Sequence, residues 1–206
     1  MPETPQQFYD RVSEAIASQE YRDSDWSQWG SWPFEGALSV RPLEPPVPDE
    51  PPRNGASGND CHACRNDGSL LVWGDESFVL ALPFGPSSLP FTAFLRPRRH
   101  ADLPDLDEVE AVRVGALLVY LERAVCSVLD VPRVQVLRWG DGSEHLHWWV
   151  MGRPTGMLQL RGTFLSHWDD LLPAAPRENV RGDAELVALE FARTAGGEVF
   201  RATVGR

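Results

Sequence analysis

Lysine is absent from the 206 residues, and all 19 basic side chains are arginine, against 30 acidic ones. The resulting net charge of −11 argues against a general nucleic-acid binder or an anionic-membrane binder, since both need basic patches. It leaves room for a small anion held by a few arginines. Cysteine is scarce as well: there are three, two of them in Cys61-His62-Ala63-Cys64. That is too few for a disulfide framework and implies a reducing, cytoplasmic setting. No apolar run approaches the ~20 residues that span a bilayer, and MPETPQQFYDRV lacks the charged-then-apolar pattern of a signal peptide. The expectation is a soluble cytoplasmic protein without membrane or nucleic-acid partners. The hydrophobic fraction, 42%, is modest, and 18 prolines contribute to that.

Composition divides the chain into three parts. Residues 1–40 hold an amphipathic helix over 5–19, with Phe8, Val12 and Ile16 at helical spacing, and then a tryptophan-rich stretch with Trp26, Trp29 and Trp32. Residues 41–60 read as an extended, proline-rich acidic linker. From Cys61 onward the pattern is that of a domain. Strands are expected at 69–74, 77–84 and 91–98. A long helix follows over 106–129, with an apolar face of Val112, Leu117, Tyr120, Leu121, Val125 and Val128. Two further strands, 133–139 and 145–152, are joined by the turn GDGSE. Helices at 163–171 and 183–195 complete the chain, the last with Leu186, Leu189 and Phe191 as its packing set. The order of strands, helix and hairpin predicts an α+β domain with an antiparallel sheet.

A C-x2-C bend brings two thiolates to one point, which suits zinc at about 2.3 Å from each sulfur. A redox dithiol would favour a thioredoxin-like βαβ setting, and none is present. A closed tetrahedral site needs two more ligands. His100, just after the third strand, and His145, opening the last one, are placed to supply them; His62 and His167 are the alternatives.

In His145-Leu146-His147-Trp148-Trp149-Val150, strand alternation puts His145, His147 and Trp149 on one face and Leu146, Trp148 and Val150 on the other. The second face is apolar and is expected to pack on the long helix. The histidines are two residues, about 6.6–6.8 Å, apart along a strand. One can bind a metal while its neighbour reaches a substrate; two ligands on one ion, or an ordinary exposed pair, fit the same spacing.

The order C-x2-C, strands, PRRHADL, helix, strand and HLHWWVMGRP resembles the histidine-triad superfamily over roughly residues 61–154. It is most similar to the zinc-containing branch that includes the galactose-1-phosphate uridylyltransferases. The resemblance implies a structural zinc on Cys61, Cys64, His100 and His145. It also implies His147 as a nucleophile toward phosphorus, a nucleotide-like substrate, a homodimer, and a HIT-like sheet with one long helix. Two departures stand out. The third triad position is Trp149, which offers an aromatic surface in place of a phosphate-contacting side chain. Gly142 stands where members carry a serine or threonine, with Ser143 one residue on as the candidate donor. Arg153 falls where many members have an arginine, which contacts phosphate or forms a surface salt bridge.

The resemblance implies a nucleotidyl transferase or a phosphoester or phosphoanhydride hydrolase. Trp149 also admits a repurposed enzyme acting on a flat aromatic substrate in specialised metabolism, and a non-catalytic zinc-stabilised module is the third reading. Cys126 is expected to be a small buried hydrophobe. Trp73, Trp139, Trp148 and Trp168 are expected in the core or an interface. Asp169 and Asp170 are expected to form a solvated pair on a helix surface, with an acid pair near the site as the alternative.

Overall fold

The structure is a computed structural model that describes residues 4–17, 30–34, 44–56, 58, 60–65 and 68–201. Trp26 and Trp29 lie outside these residues. Helix α1 spans Pro5–Ala17, and its start is fixed by a reciprocal cap between Thr4 and Gln7. Phe8 on this helix is exposed, and the side chains of Val12 and Ile16 lie outside the description.

The domain is built on one antiparallel six-stranded sheet: β1 (Leu71–Gly74), β2 (Phe78–Ala81), β3 (Phe91–Pro97), β4 (Val134–Leu137), β5 (Trp148–Gly152) and β6 (Glu198–Val199). The spatial order is β4-β5-β3-β2-β1-β6. Helix α2 is the single turn His62–Arg65. Helix α3 spans Glu108–Val128, α4 Leu165–Leu171 and α5 Arg177–Ala195. The α+β architecture is therefore the one the element order implies. The edge strand β6 is two residues long and carries no sequence pattern that would mark it.

Helices α3 and α5 cover one face of the sheet over a core that includes Val72, Trp73, Phe78, Leu95, Leu117, Leu121, Val150 and Phe191. Each of these helices shows its inner face differently from the expected one. On α3, Val112 is exposed and Val114 is buried. The inward stripe is Val114, Leu117, Leu121, Ala124 and Val125, a regular three-and-four spacing that Val112 does not join. On α5, Leu186 and Leu189 are exposed, and Ala184, Val187, Ala188, Phe191 and Ala195 face inward. Small alanines let this helix lie close to α3, and side-chain size alone conceals that. Helix α5 also begins six residues early, after Pro176 at its N-cap.

The other face of the sheet carries a small cluster of Leu89, Met151, Leu160 and Leu165, with Trp149 and Trp168 packed against it. The rest of that face is left for a site. The described part of the tryptophan-rich stretch docks nearby: Trp168 Nε1 donates to the Ser31 carbonyl at 2.9 Å, and Trp32 meets Phe164 edge-on. The far end of the proline-rich stretch is tied down as well. Asn54 forms a parallel bridge with Ser143, and Arg53 reaches Asp102 at 2.6 Å. Among the described residues no helix is long and apolar enough to cross a membrane.

Candidate metal centre and adjoining pocket

Three separate pieces of chain deliver Cys61, Cys64, His100 and His145 to one point. One ligand atom from each lies within 4.8 Å of all the others. Cys61 Sγ is 3.3 Å from His145 Nδ1, and Cys64 Sγ is 3.4 Å from it. Cys64 Sγ is 3.5 Å from His100 Nδ1. A tetrahedron with zinc–sulfur bonds of about 2.3 Å and zinc–nitrogen bonds of about 2.0–2.1 Å has sulfur–nitrogen edges of about 3.5 Å. The donor set and its spacing therefore fit a closed structural zinc. His62 and His167 lie outside the cluster. His62 meets Phe84 edge-on, and His167 meets Phe164.

Hydrogen bonding fixes the tautomer of the deepest ligand. His145 Nε2 lies 2.9 Å from the Pro97 carbonyl, which can only accept, so Nε2 carries the proton and Nδ1 turns its lone pair to the thiols. Pro97 has a second effect. The β3–β5 register runs through Leu95 and Trp148, so its continuation sets Pro97 opposite Leu146. Proline has no N–H to donate, and the ladder stops there. Hence β5 starts at Trp148 rather than at the expected residue 145, and both histidines precede the strand.

Burial pushes the Cys64 thiol up to about 11, with the Cys61 thiol adding to the effect; metal must displace that proton. Burial likewise pushes the His145 pKa down from 6.5 to about 4, with the Pro97 carbonyl opposing. Because the folded value is depressed, the unfolded chain takes up the extra proton first. The stability gained by keeping His145 neutral is complete above about pH 6.5 and is lost as pH falls to about 4. Metal-free protein should lose on the order of 3 kcal/mol across that window, measured as the urea midpoint against pH. The metal-free His145→Gln variant should show a flatter profile, and an unchanged slope would remove this explanation.

Asp102, two residues beyond His100, holds the loop. Its carboxylate accepts from Arg53 at 2.6 Å, Arg138 at 2.7 Å and the Leu103 N–H at 2.7 Å. Burial pushes its pKa up, but the hydrogen bonds from Arg53 and Arg138 outweigh it and hold the group below the usual carboxylate range. Asp102→Asn should cost about 2 kcal/mol in a denaturant titration and weaken zinc retention in a chelator competition. Arg99, beside His100, is clamped by Glu110 at 2.8 and 2.5 Å, and Glu110 also closes the capping box of α3. His100 therefore leaves a segment fixed on both sides.

A cavity of about 210 Å³ adjoins the cluster, lined by Asn54, Leu82, Phe84, Phe94, Arg96, Ser143, His145 and His147 among others. His147 Nδ1 lies 2.9 Å from the His145 carbonyl. That carbonyl can only accept, so Nδ1 is the protonated nitrogen and Nε2 keeps a free lone pair. Phe94 touches His147 and Trp149 edge-on, with ring centroids 5.3 and 4.4 Å away. This places both on one face, as strand alternation requires. Ser143 stands at the rim.

Trp149 and Arg153 do not line the 210 Å³ cavity. Trp149 lines a neighbouring cavity of about 420 Å³ with Thr92, Phe94, Asp169 and Asp170, and Trp139 meets it edge-on. Arg153 lines neither cavity and donates to the Pro154 carbonyl at 3.1 Å. Asp169 is no solvated surface group: it accepts from Ser87 and Ser88 side chains and the Ser88 N–H, pinning the loop before β3 to α4. Sequence reasoning passed over Arg96, a buried arginine in the 210 Å³ cavity. Its signal was parity with Phe94 on β3.

No family model matches the chain, and no curated protein matches it. Among solved structures it is similar to one described as a uridylyltransferase, at 19% identity and TM-score 0.47 over 65% of this chain and 45% of that one. It is also similar to a zinc-bound histidine triad family protein from Mycobacterium smegmatis, at 18% identity and TM-score 0.44 over 60% of this chain and 84% of the other. A third is a HIT-like protein involved in cell-cycle regulation from Bartonella henselae, at 15% identity and TM-score 0.44 over 59% and 85%. Two of these three carry the name of the family that the sequence resembles, the histidine-triad proteins.

Proposed function

We propose that this chain is a nucleotidyl transferase or a phosphoester or phosphoanhydride hydrolase that uses His147 as nucleophile, with a structural zinc on Cys61, Cys64, His100 and His145. The observation that carries the reading is the His147 Nδ1 contact with the His145 carbonyl at 2.9 Å, which leaves Nε2 unprotonated beside the cavity. That lone pair attacks the α-phosphorus of a nucleotide-like substrate. The bond from phosphorus to the leaving group breaks, and the leaving group departs with its electron pair and takes up a proton. The phosphoramidate on Nε2 is then resolved by water or a second phosphate. Ser143 supports the transferring oxygens from the rim. The zinc anchors the ligand-bearing segments and leaves the chemistry to His147.

The test is incubation of the zinc-loaded protein with adenosine phosphoramidate, dinucleoside polyphosphates and UDP-sugars. Turnover that Ser143→Ala slows is the expected result. The absence of both turnover and a trapped nucleotidyl-protein would overturn the reading and leave a non-catalytic zinc module. A second reading is favoured by one observation: Phe94, Trp139 and Trp149 meet edge-on beside His147. Such an aromatic wall suits a flat organic group, and turnover of aryl phosphates with none of nucleotides would select it. A cytoplasmic homodimer belongs to the same proposal, and sedimentation tests the assembly.

A further inference from the structure

Arg96 is 8% exposed, sits on β3 and lines the cavity with His147. Buried guanidinium groups normally carry a carboxylate or several carbonyl partners, because an unpaired buried charge is strongly disfavoured. Three half-buried arginines follow that rule: Arg53 bonds Asp102, Arg113 bonds Asp75, and Arg181 bonds Glu185 and three carbonyls; the half-buried Arg153 has the Pro154 carbonyl. Among the described residues Arg96 makes no hydrogen bond or salt bridge, and those that line the cavity include no aspartate or glutamate.

The charges that face it are the Cys64 and Cys61 thiols, opposed by Arg98. A zinc ion between two thiolates cancels both of their charges, so the loaded centre leaves Arg96 as an uncompensated cation. The β3–β5 register, Phe94 with Trp149 and Leu95 with Trp148, continues to set Arg96 opposite His147. Directly opposed residues have Cβ atoms about 4.5–5.5 Å apart. Parity puts Arg96 on the same face as Phe94, which touches His147. A planar fork of donors thus shares the cavity with the free imidazole nitrogen, and a fork of that shape matches the paired oxygens of a phosphoryl or carboxylate group.

We propose that Arg96 is the anion-binding residue of this cavity, pairing with an oxyanion group of the ligand next to His147, in the place the sequence suggested for Arg153. The inference rests on the proposed function only for the ligand's being a phosphorylated compound; the anion site itself follows from Arg96 and the cavity. It makes Arg96 a ligand-positioning residue and explains how a chain of net charge −11 receives an anion: the charge is local, buried and otherwise unpaired.

The experiment uses zinc-loaded full-length protein with inorganic phosphate and pyrophosphate as probes. Wild type should bind pyrophosphate saturably in the millimolar range or tighter, and its Arg96 Nε–H resonance should move along the titration. Arg96→Gln should weaken binding at least tenfold with zinc content unchanged, and Arg96→Lys should recover part of the loss. Arg153→Gln should bind as wild type. Saturable binding without movement of the Arg96 resonance, equal binding in Arg96→Gln, or no saturable binding by wild type would each overturn the proposal; the resonance test needs no variant to fold. Should a nucleotide prove to be turned over with Arg96→Gln unimpaired in KM and kcat, this inference fails while the proposed function stands. Should the anion bind through Arg96 with no turnover of any nucleotide, the proposed function fails and this inference stands.

Discussion

Replacing His147 with alanine should lower turnover of a nucleotide substrate by at least about a thousandfold, with zinc content and thermal midpoint nearly unchanged. The separation follows from geometry. His147 is half-buried and lines the cavity, and among the described residues its ring bonds to the carbonyl two residues back and to no other group. Removing it takes away the proposed nucleophile and an edge contact with Phe94, and none of the four clustered ligands. Steady-state kinetics beside metal analysis of the same preparation reads both halves. A variant that lost zinc together with activity would show that His147 serves the metal instead. A variant that kept full activity would remove the nucleophile.

Replacing Cys61 with serine should do the opposite in order: zinc is lost first, and activity follows. Cys61 is 2% exposed and stands 3.3 Å from His145 Nδ1. Loss of one thiolate breaks a closed four-ligand site whose binding energy is part of the folding energy. The expected loss is several kcal/mol, which for a domain of this size lowers the thermal midpoint by about 10 °C or more. The consequence at the cavity is positional. Without the metal, His145 is held among the described residues by the Pro97 carbonyl, the sulfur contacts and packing, and the His145 carbonyl is what orients His147. Calorimetry of wild type, chelator-treated wild type and Cys61→Ser should give one high midpoint and two similar low ones. A Cys61→Ser protein as stable as the loaded wild type would contradict the structural role.

The metal ligands were legible in the sequence because their chemistry is rare and their order is informative. Cysteine is scarce enough that a pair two residues apart stands out, and histidine occurs five times in all. The antiparallel sheet and long helix were legible from alternation and helical spacing. What escaped was set by partners that one segment does not reveal. Val112 and Leu186 read as core because they are apolar, yet they are exposed where α3 and α5 meet through alanines and Val114. The start of β5 depended on Pro97, a residue of another strand. Arg153, by its place after the histidines, left phosphate contact and a surface salt bridge both open. Arg96 was hidden in the run RPRRH, where three arginines look alike; only the cross-strand register sets one inside and leaves Arg98 and Arg99 exposed. Asp169 read as a surface acid because its serine partners lie on a distant loop.

Four residues from three segments come together as one candidate metal centre beside His147. X-ray absorption at the zinc edge, with metal content determined on the same sample, tests that most directly. The prediction is one zinc per chain with two sulfur neighbours at about 2.3 Å and two nitrogen neighbours at about 2.0–2.1 Å. A protein that retains no zinc, or one whose metal shell holds only oxygen and nitrogen, would contradict it.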